Sequence, residues 1–151
     1  MSDMETEGVF APETREKARS QFVDLEPAAD EVVRAVAKQM EFDTAEFRER
    51  VTDDVTETAR EALYASLLEV YVADRAEYES WCDTQGYETV EIGPPNVDRV
   101  VWHAPAFAET AVAATFQNER DAAVNTLRRQ AFGRLYLNVL RDEHDNESDS
   151  V

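Results

Sequence analysis

The chain has 151 residues, 43% of them hydrophobic, and its 33 acidic and 15 basic side chains give a net charge of −18. This length suits one domain with a sizeable core, and the scarcity of basic residues argues against a nucleic-acid binder, which neutralises phosphates with Lys and Arg. A single cysteine, Cys82, excludes an intrachain disulfide, and no run approaches the roughly 20 apolar residues of a membrane span.

The acidic residues are spread over the whole chain and do not form one block. Such an excess of like charge destabilises a compact state in dilute buffer. Salt relieves the repulsion, because the Debye length falls from about 10 Å at 0.1 M to about 3 Å at 1 M. Arginine also outnumbers lysine, which occurs only as Lys17 and Lys38. We interpret the composition as an adaptation to a salty cytoplasm; a nucleic-acid mimic that binds a basic partner is the alternative.

Both ends of the sequence are polar and lack a periodic apolar face. The sequence predicts a flexible tail over residues 1–9, a single globular domain over residues 10–141 and a disordered acidic tail over residues 142–151. Residues 1–20 lack the apolar core that a signal peptide needs. A cytoplasmic protein is therefore expected.

The first part of the domain is predicted to consist of helices. An amphipathic helix is expected over residues 12–25, and a second helix begins at Pro27. Apolar residues at three- and four-residue spacing predict one buried face for the second helix: Ala29, Val32, Val33, Val36, Ala37 and Met40. Asp43 or Thr44 caps a short third helix that ends at Arg50.

A fourth helix is predicted to begin after Thr52. Its broad apolar stripe continues through residues 70–71, which is typical of a central helix. Asp74 and Glu77 have the spacing of a capping box. The segment that they begin is either a separate helix or a continuation of the fourth, and Gly86 permits a left-handed end to it.

The apolar period changes from helical to alternating after Gly86. The segments YETVEI and VDRVVWH alternate, and the GPPN turn between them predicts a hairpin. Residues 111–116 form a third strand or a helix, and we favour the strand because Asn118 is a good cap for a new helix. That long helix, from Glu119 to Leu140, is apolar nearly all round in its second half, which predicts burial there.

Together these elements predict an α+β fold. It contains N-terminal helices, a small antiparallel meander of two or three strands and one long C-terminal helix. The helices are expected on one face of the sheet.

Few side chains in the chain indicate chemistry. No glycine-rich phosphate loop, paired-cysteine clip, HExxH helix or GxSxG elbow occurs, so neither a cofactor nor a metal site is predicted. A loose set remains, and its members would meet if the helix before Gly86 packed on the hairpin: Tyr78, Trp81, Cys82, Trp102 and His103.

Within that set, Cys82 and His103 are the catalytic candidates, because an imidazole in hydrogen-bond contact stabilises a thiolate. A structural role is favoured for both, since free cysteines usually pack as small hydrophobes. Strand alternation puts His103 and Trp102 on opposite sides. We expect Trp102 to face the core. His103 is expected on a partly solvated face or at the strand end before Pro105, bonded to a carboxylate or a carbonyl.

The candidate ligand-binding residues are Tyr78, Trp81, Trp102 and Arg128. Aromatic rings offer apolar contact, and the arginine fork suits a carboxylate or a phosphate. Core packing of the rings and surface ion pairing of the arginine are the favoured interpretations, because carboxylates are abundant throughout the chain.

The acidic, lysine-poor composition and the block VVWHAPAFAETAVAATFQNERDAAVNTLRRQAFGRLY resemble small proteins of salt-loving archaea that are grouped into families of unknown function. The resemblance spans residues 10–141 and implies an archaeal cytoplasmic setting, without any catalytic residue to carry over. We expect a non-catalytic module that forms a homo-oligomer or binds a protein partner through the hairpin and the long helix, without nucleic acid or membrane. The alternative is a small-ligand binder or enzyme with a pocket near Cys82, Trp102 and His103.

Overall fold

The computed structural model describes residues 4–141, so the acidic tail predicted over residues 142–151 lies outside it. The helices are α1 (Arg15–Asp24), α2 (Glu26–Gln39), α3 (Thr44–Arg50), α4 (Asp53–Ser66), α5 (Arg75–Gln85) and α6 (Arg120–Ala131). The strands are β1 (Glu5–Glu7), β2 (Val70–Asp74), β3 (Glu88–Ile92), β4 (Arg99–His103) and β5 (Thr110–Phe116). The predicted α+β class is confirmed.

The five strands form one mixed sheet in the order β1-β2-β4-β5-β3. β3 runs parallel to β5, and the other neighbours are antiparallel. The predicted meander is wrong in strand number and in topology, because β5 lies between β3 and β4 and the two do not form a hairpin. Gly93 begins the connection that passes β5, and its φ of 96° and close approach to the Thr115 hydroxyl leave no space for a side chain.

β2 is the element that the sequence interpretation placed in the wrong structure. Residues 70–71 do not continue the fourth helix, since α4 ends at Ser66 and a strand begins at Val70. A central strand that is buried on both faces carries a continuous apolar run, which periodicity does not distinguish from a buried helix. Residues Glu5–Glu7, assigned from the sequence to a flexible tail, pair with β2 as the edge strand β1.

The local end signals of the helices are largely confirmed. The Asp43, Thr52 and Asp74 side chains each accept a hydrogen bond from a backbone N–H at the start of a helix. α5 is therefore a separate helix, and Gly86 ends it in the left-handed conformation at φ 69°. Asn118 is not a cap, since α6 begins after Glu119 without a side-chain cap.

The long C-terminal helix is also confirmed. α6 continues through a π-helical segment, Phe132–Tyr136, and then through helical residues 137–141. The Leu137 N–H bonds the Phe132 carbonyl, five residues back, as a π-helix requires. Phe132 and Tyr136 are both buried in the core.

Helices cover both faces of the sheet. We call the face that packs on α1, α4 and α6 the inner face; its buried strand residues are Val70, Val72, Val101, Val112 and Ala114. We call the face under α5 the outer face; its buried strand residues are Ala73, Val100, Trp102, Ala111 and Ala113. The expectation of helices on one face only is wrong, because α5 crosses to the other side. Within residues 4–141 no helix has the length and apolar character that spanning a membrane requires.

Candidate functional site

Three of the predicted ligand-binding residues meet on the outer face. The Trp102 ring centroid lies 5.1 Å from that of Tyr78 and 5.8 Å from that of Trp81, and Tyr71 adds a fourth ring at 5.5 Å. We call these four rings the aromatic cluster. Trp102 is completely buried under α5, so the cluster is a packed core and not an open pocket.

Cys82 borders the aromatic cluster and is half-buried. Burial raises the pKa of its thiol; the Tyr78 hydroxyl opposes the shift, and the carboxylates of Glu91, Asp83 and Glu79 add to it. A thiol with a raised pKa carries little thiolate at neutral pH and is a poor nucleophile.

His103 is fully buried, and it lies on the inner face of β4. Its Nδ1 contacts the Glu69 carbonyl, and its Nε2 lies 2.7 Å from the Tyr136 hydroxyl. Because a carbonyl only accepts, Nδ1 carries the proton, and Nε2 of the neutral ring accepts a hydrogen bond from the Tyr136 hydroxyl. Burial lowers the pKa of His103 to about 4, so the ring is neutral at pH 7. We call these two residues the His103–Tyr136 pair.

The expectation of a partly solvated His103 is wrong. Strand alternation correctly separates His103 from Trp102, but both faces of β4 are covered, so neither side chain reaches solvent. The alternative position at the strand end before Pro105 is confirmed, since β4 ends at His103, and the expected carbonyl partner is that of Glu69.

The structure does not bring the two catalytic candidates together. Cys82 packs on the outer face and His103 on the inner face, so the sheet separates the thiol from the imidazole. Hydrogen-bond contact between nucleophile and base, which such catalysis needs, is absent here.

Arg128 lies apart from the aromatic cluster, on the side of α6. Its Nε donates to the Leu68 carbonyl at 3.0 Å, and its Nη2 lies 3.9 Å from the Glu7 carboxylate. The guanidinium thus joins α6 to the chain before β2 and to the edge strand β1. The contact with Glu7 agrees with the expected ion pairing, but the Arg128 side chain is only 11% exposed and so does not lie on the open surface.

Concave surface occurs elsewhere, beside the helices. A cavity of about 810 Å³ lies between α2 and α4, and its polar lining is mainly acidic: Asp24, Glu26, Asp30, Asp53, Glu57 and Arg60. Smaller cavities border α1 and residues 9–14. None of these three is lined by a predicted site residue. Among residues 4–141, no three His, Cys, Asp or Glu side chains are placed to hold a metal ion.

The helix pair α2–α4 has two contrasting sides. Glu26, at the start of α2, lies 3.9 Å from Arg60, which is in the middle of α4. One side of the pair carries the acidic cavity. Helical periodicity places a different set of residues on the opposite side. None of that set is charged, although charged residues make up 32% of the chain.

We call this opposite side the uncharged face. Its members are Ala28, Val32, Ala35, Val36, Gln39 and Met40 from α2 and its end, and Val55, Thr58, Ala62 and Ser66 from α4. The larger apolar members are well exposed: Val32 by 48%, Val36 by 53%, Met40 by 59% and Val55 by 42%. Exposed apolar side chains grouped on one side of a helix pair are typical of an interaction surface.

The sequence interpretation assigned part of this surface to the core. It predicted one buried face for α2, but only Ala29, Val33 and Ala37 are buried. Val32 and Val36 each precede a buried residue and lie about 100° further round the helix. The signal for an exposed apolar face was the width of the stripe, which exceeds what α4, the main neighbour of α2, covers.

These features define a small acidic α+β protein with a mixed five-stranded sheet, a buried His–Tyr pair and an uncharged helical face. Residues 9–137 match the model of a family of unknown function, DUF5809, and the chain belongs to that family. No curated protein and no solved structure matches the chain. Membership of a family of unknown function is thus confirmed, whereas an origin in salt-loving archaea remains a prediction.

Proposed function

We propose that this chain is a non-catalytic protein-interaction module that binds its partner through the uncharged face. The observation that supports the proposal is the exposure of Val32, Val36, Met40 and Val55 on one side of a helix pair. Apolar area that binding removes from water contributes about 25 cal/mol per Å² before the costs of association. The proposed surface differs from the one expected from sequence, because the β3–β4 hairpin does not exist.

An enzyme or small-ligand site near Cys82, Trp102 and His103 has less support. The sheet separates the thiol from the imidazole, and Trp102 and His103 are fully buried. A ligand would have to displace core side chains to reach them.

The proposed setting of this module is a cytoplasm with molar salt. We expect the melting temperature to rise by at least 10 °C between 0.1 M and 2 M KCl, because salt screens the repulsion within a chain of net charge −18. Thermal melting followed by circular dichroism measures this temperature. Sucrose at the same molar concentrations as KCl is the control for a general solute effect. Equal melting temperatures at both salt concentrations would contradict the adaptation.

Site-specific photo-crosslinking tests the interaction itself. A benzophenone amino acid replaces Val36, on the uncharged face, or Val23, which is also 53% exposed but lines the acidic cavity. In the cells that make the chain, we expect a discrete adduct from position 36 and none from position 23. The captured protein, once purified, should bind the wild-type chain at least tenfold more tightly than Val36→Glu, since a buried unpaired carboxylate is costly. Equal capture from both positions, or equal binding to both chains, would contradict the proposal.

A further inference from the structure

We infer that the partner is a second copy of this chain, and that the two uncharged faces pack together with α2 antiparallel to α2 of the other copy. This inference rests on the proposed function and names its partner.

Charge limits how two copies can approach each other. Each carries a net charge of −18, so contact through a carboxylate-bearing surface is repulsive. The acidic-cavity side of the α2–α4 pair illustrates this, since five carboxylates line it. The uncharged face adds no like-charge contact when two copies meet. Residues 142–151 are a poor alternative occupant, because half of them are Asp or Glu and only Val151 is apolar.

The spacing along α2 suits helix–helix packing. Ala28, Val32, Ala35 and Gln39 follow one another at intervals of four, three and four residues, which is the seam pattern of paired helices. When Val32 of one copy lies opposite Val36 of the second in an antiparallel pair, Ala28 lies opposite Met40. The small Ala28 then faces the larger Met40 at both ends of the pair, and a two-fold axis relates the two copies.

The charges beside the seam fit the same register. Glu31 and Lys38 are exposed on one flank of α2, two turns apart. In the antiparallel pair, position 30 of one copy lies opposite Lys38 of the second, so the neighbouring Glu31 lies close to that lysine. The two-fold axis produces the same pairing a second time. Lys38 is one of only two lysines in the chain. Its placement beside the uncharged face supplies a positive charge where a second acidic copy would lie.

The size of the face sets the expected strength. Helices of 14 residues are about 21 Å long and pack about 9 Å apart. The two helices of one copy therefore present a footprint on the order of 400 Å², which corresponds to about 800 Å² for both copies. This total is at the small end for protein interfaces. We therefore expect a dimer that forms at micromolar concentrations and dissociates on dilution.

Sedimentation equilibrium of the purified chain in molar KCl, from about 1 to 300 μM, tests the inference. The wild-type mass should rise toward twice the 17.1 kDa of one chain. Val36→Glu should stay at 17.1 kDa throughout, whereas the matched control Val23→Glu should dimerise like wild type. Circular dichroism and thermal melting establish that each variant is folded; if Val36→Glu does not fold, Val32→Gln replaces it with the same expected loss of the dimer.

A charge swap tests the antiparallel register. Lys38→Glu should weaken the dimer at least threefold, because it places a carboxylate at position 38 beside Glu31 of the second copy. The double variant Glu31→Lys with Lys38→Glu should restore the affinity. Wild-type affinity in Lys38→Glu, or a double variant that dimerises as weakly as Lys38→Glu, would overturn the register.

The outcomes distinguish failure of the inference from failure of the proposed function. In one outcome, the wild-type chain stays at 17.1 kDa at all concentrations, and position 36 captures a different protein that binds wild type and not Val36→Glu. This outcome overturns the inference of a dimer but supports the proposed interaction module. A monomer without any adduct at position 36 overturns both. A dimer that Val36→Glu leaves intact overturns the inference, because the copies then meet elsewhere.

Discussion

Trp102→Ala should lower the free energy of unfolding by about 3–5 kcal/mol, the range for removing a large buried aromatic ring. The ring is completely buried, and three aromatic neighbours surround it: Tyr71, Tyr78 and Trp81. Ala111 and Ala113 lie within the same outer-face core, and their side chains are too short to fill the space. The measurement is equilibrium denaturation by guanidinium, monitored by far-UV circular dichroism in a background of molar KCl.

Trp102→Phe is the matched control for this prediction. Among the described residues, the Trp102 indole N–H has no hydrogen-bond partner, so phenylalanine removes volume without breaking a hydrogen bond. We expect a clearly smaller loss than for alanine, with most of the ring contacts kept. A loss below about 1 kcal/mol for Trp102→Ala would contradict a packed core and would favour an open pocket at this position.

The capping residues illustrate what the sequence could predict. Each of these residues acts on a backbone group three or four residues away: Asp43, Thr52, Asp74 and Gly86. The local sequence alone therefore predicts their effect. The helices that they begin or end lie close to their predicted positions. The strand at residues 111–116 is also confirmed, although Asn118, the reason for favouring it, does not cap α6.

The misplaced elements depend on distant parts of the chain. Val70 and Tyr71 belong to a strand because β1 and β4 pair with it on both sides, and no local pattern reports those partners. The burial of His103 depends on Tyr136, which is 33 residues away, and on the helices that cover the inner face. The exposure of Val36 depends on how many helices pack around α2, which only the assembled fold determines.

The His103–Tyr136 pair should make the stability fall in mild acid. His103 has a pKa of about 4 in the folded chain and an ordinary value of 6.5 when unfolded. Above pH 6.5 both states are neutral and the contribution to stability is complete. As the pH falls from 6.5 to 4, only the unfolded state gains the proton, so the free energy of unfolding decreases, by about 3 kcal/mol in total.

Two variants assign this loss to the histidine. His103→Gln keeps a neutral side chain of similar length at every pH, so its stability should change less between pH 7 and 5 than that of wild type. Tyr136→Phe leaves the His103 Nε2 without its hydroxyl donor, which should cost about 1–3 kcal/mol at pH 7. It should nevertheless keep the acid slope, because burial is the main cause of the lowered pKa of His103.

The measurement is the free energy of unfolding from guanidinium titrations at intervals between pH 7.5 and 5, in constant molar KCl. This range stays above the ordinary pKa values of Asp and Glu, near 4. The decrease in the free energy of unfolding of wild type toward pH 5 therefore reflects chiefly histidine. The difference between wild type and His103→Gln isolates residue 103, since both chains share every carboxylate and His144. Parallel curves for the two chains would show that His103 titrates alike in the folded and unfolded states, which a fully buried neutral ring does not permit.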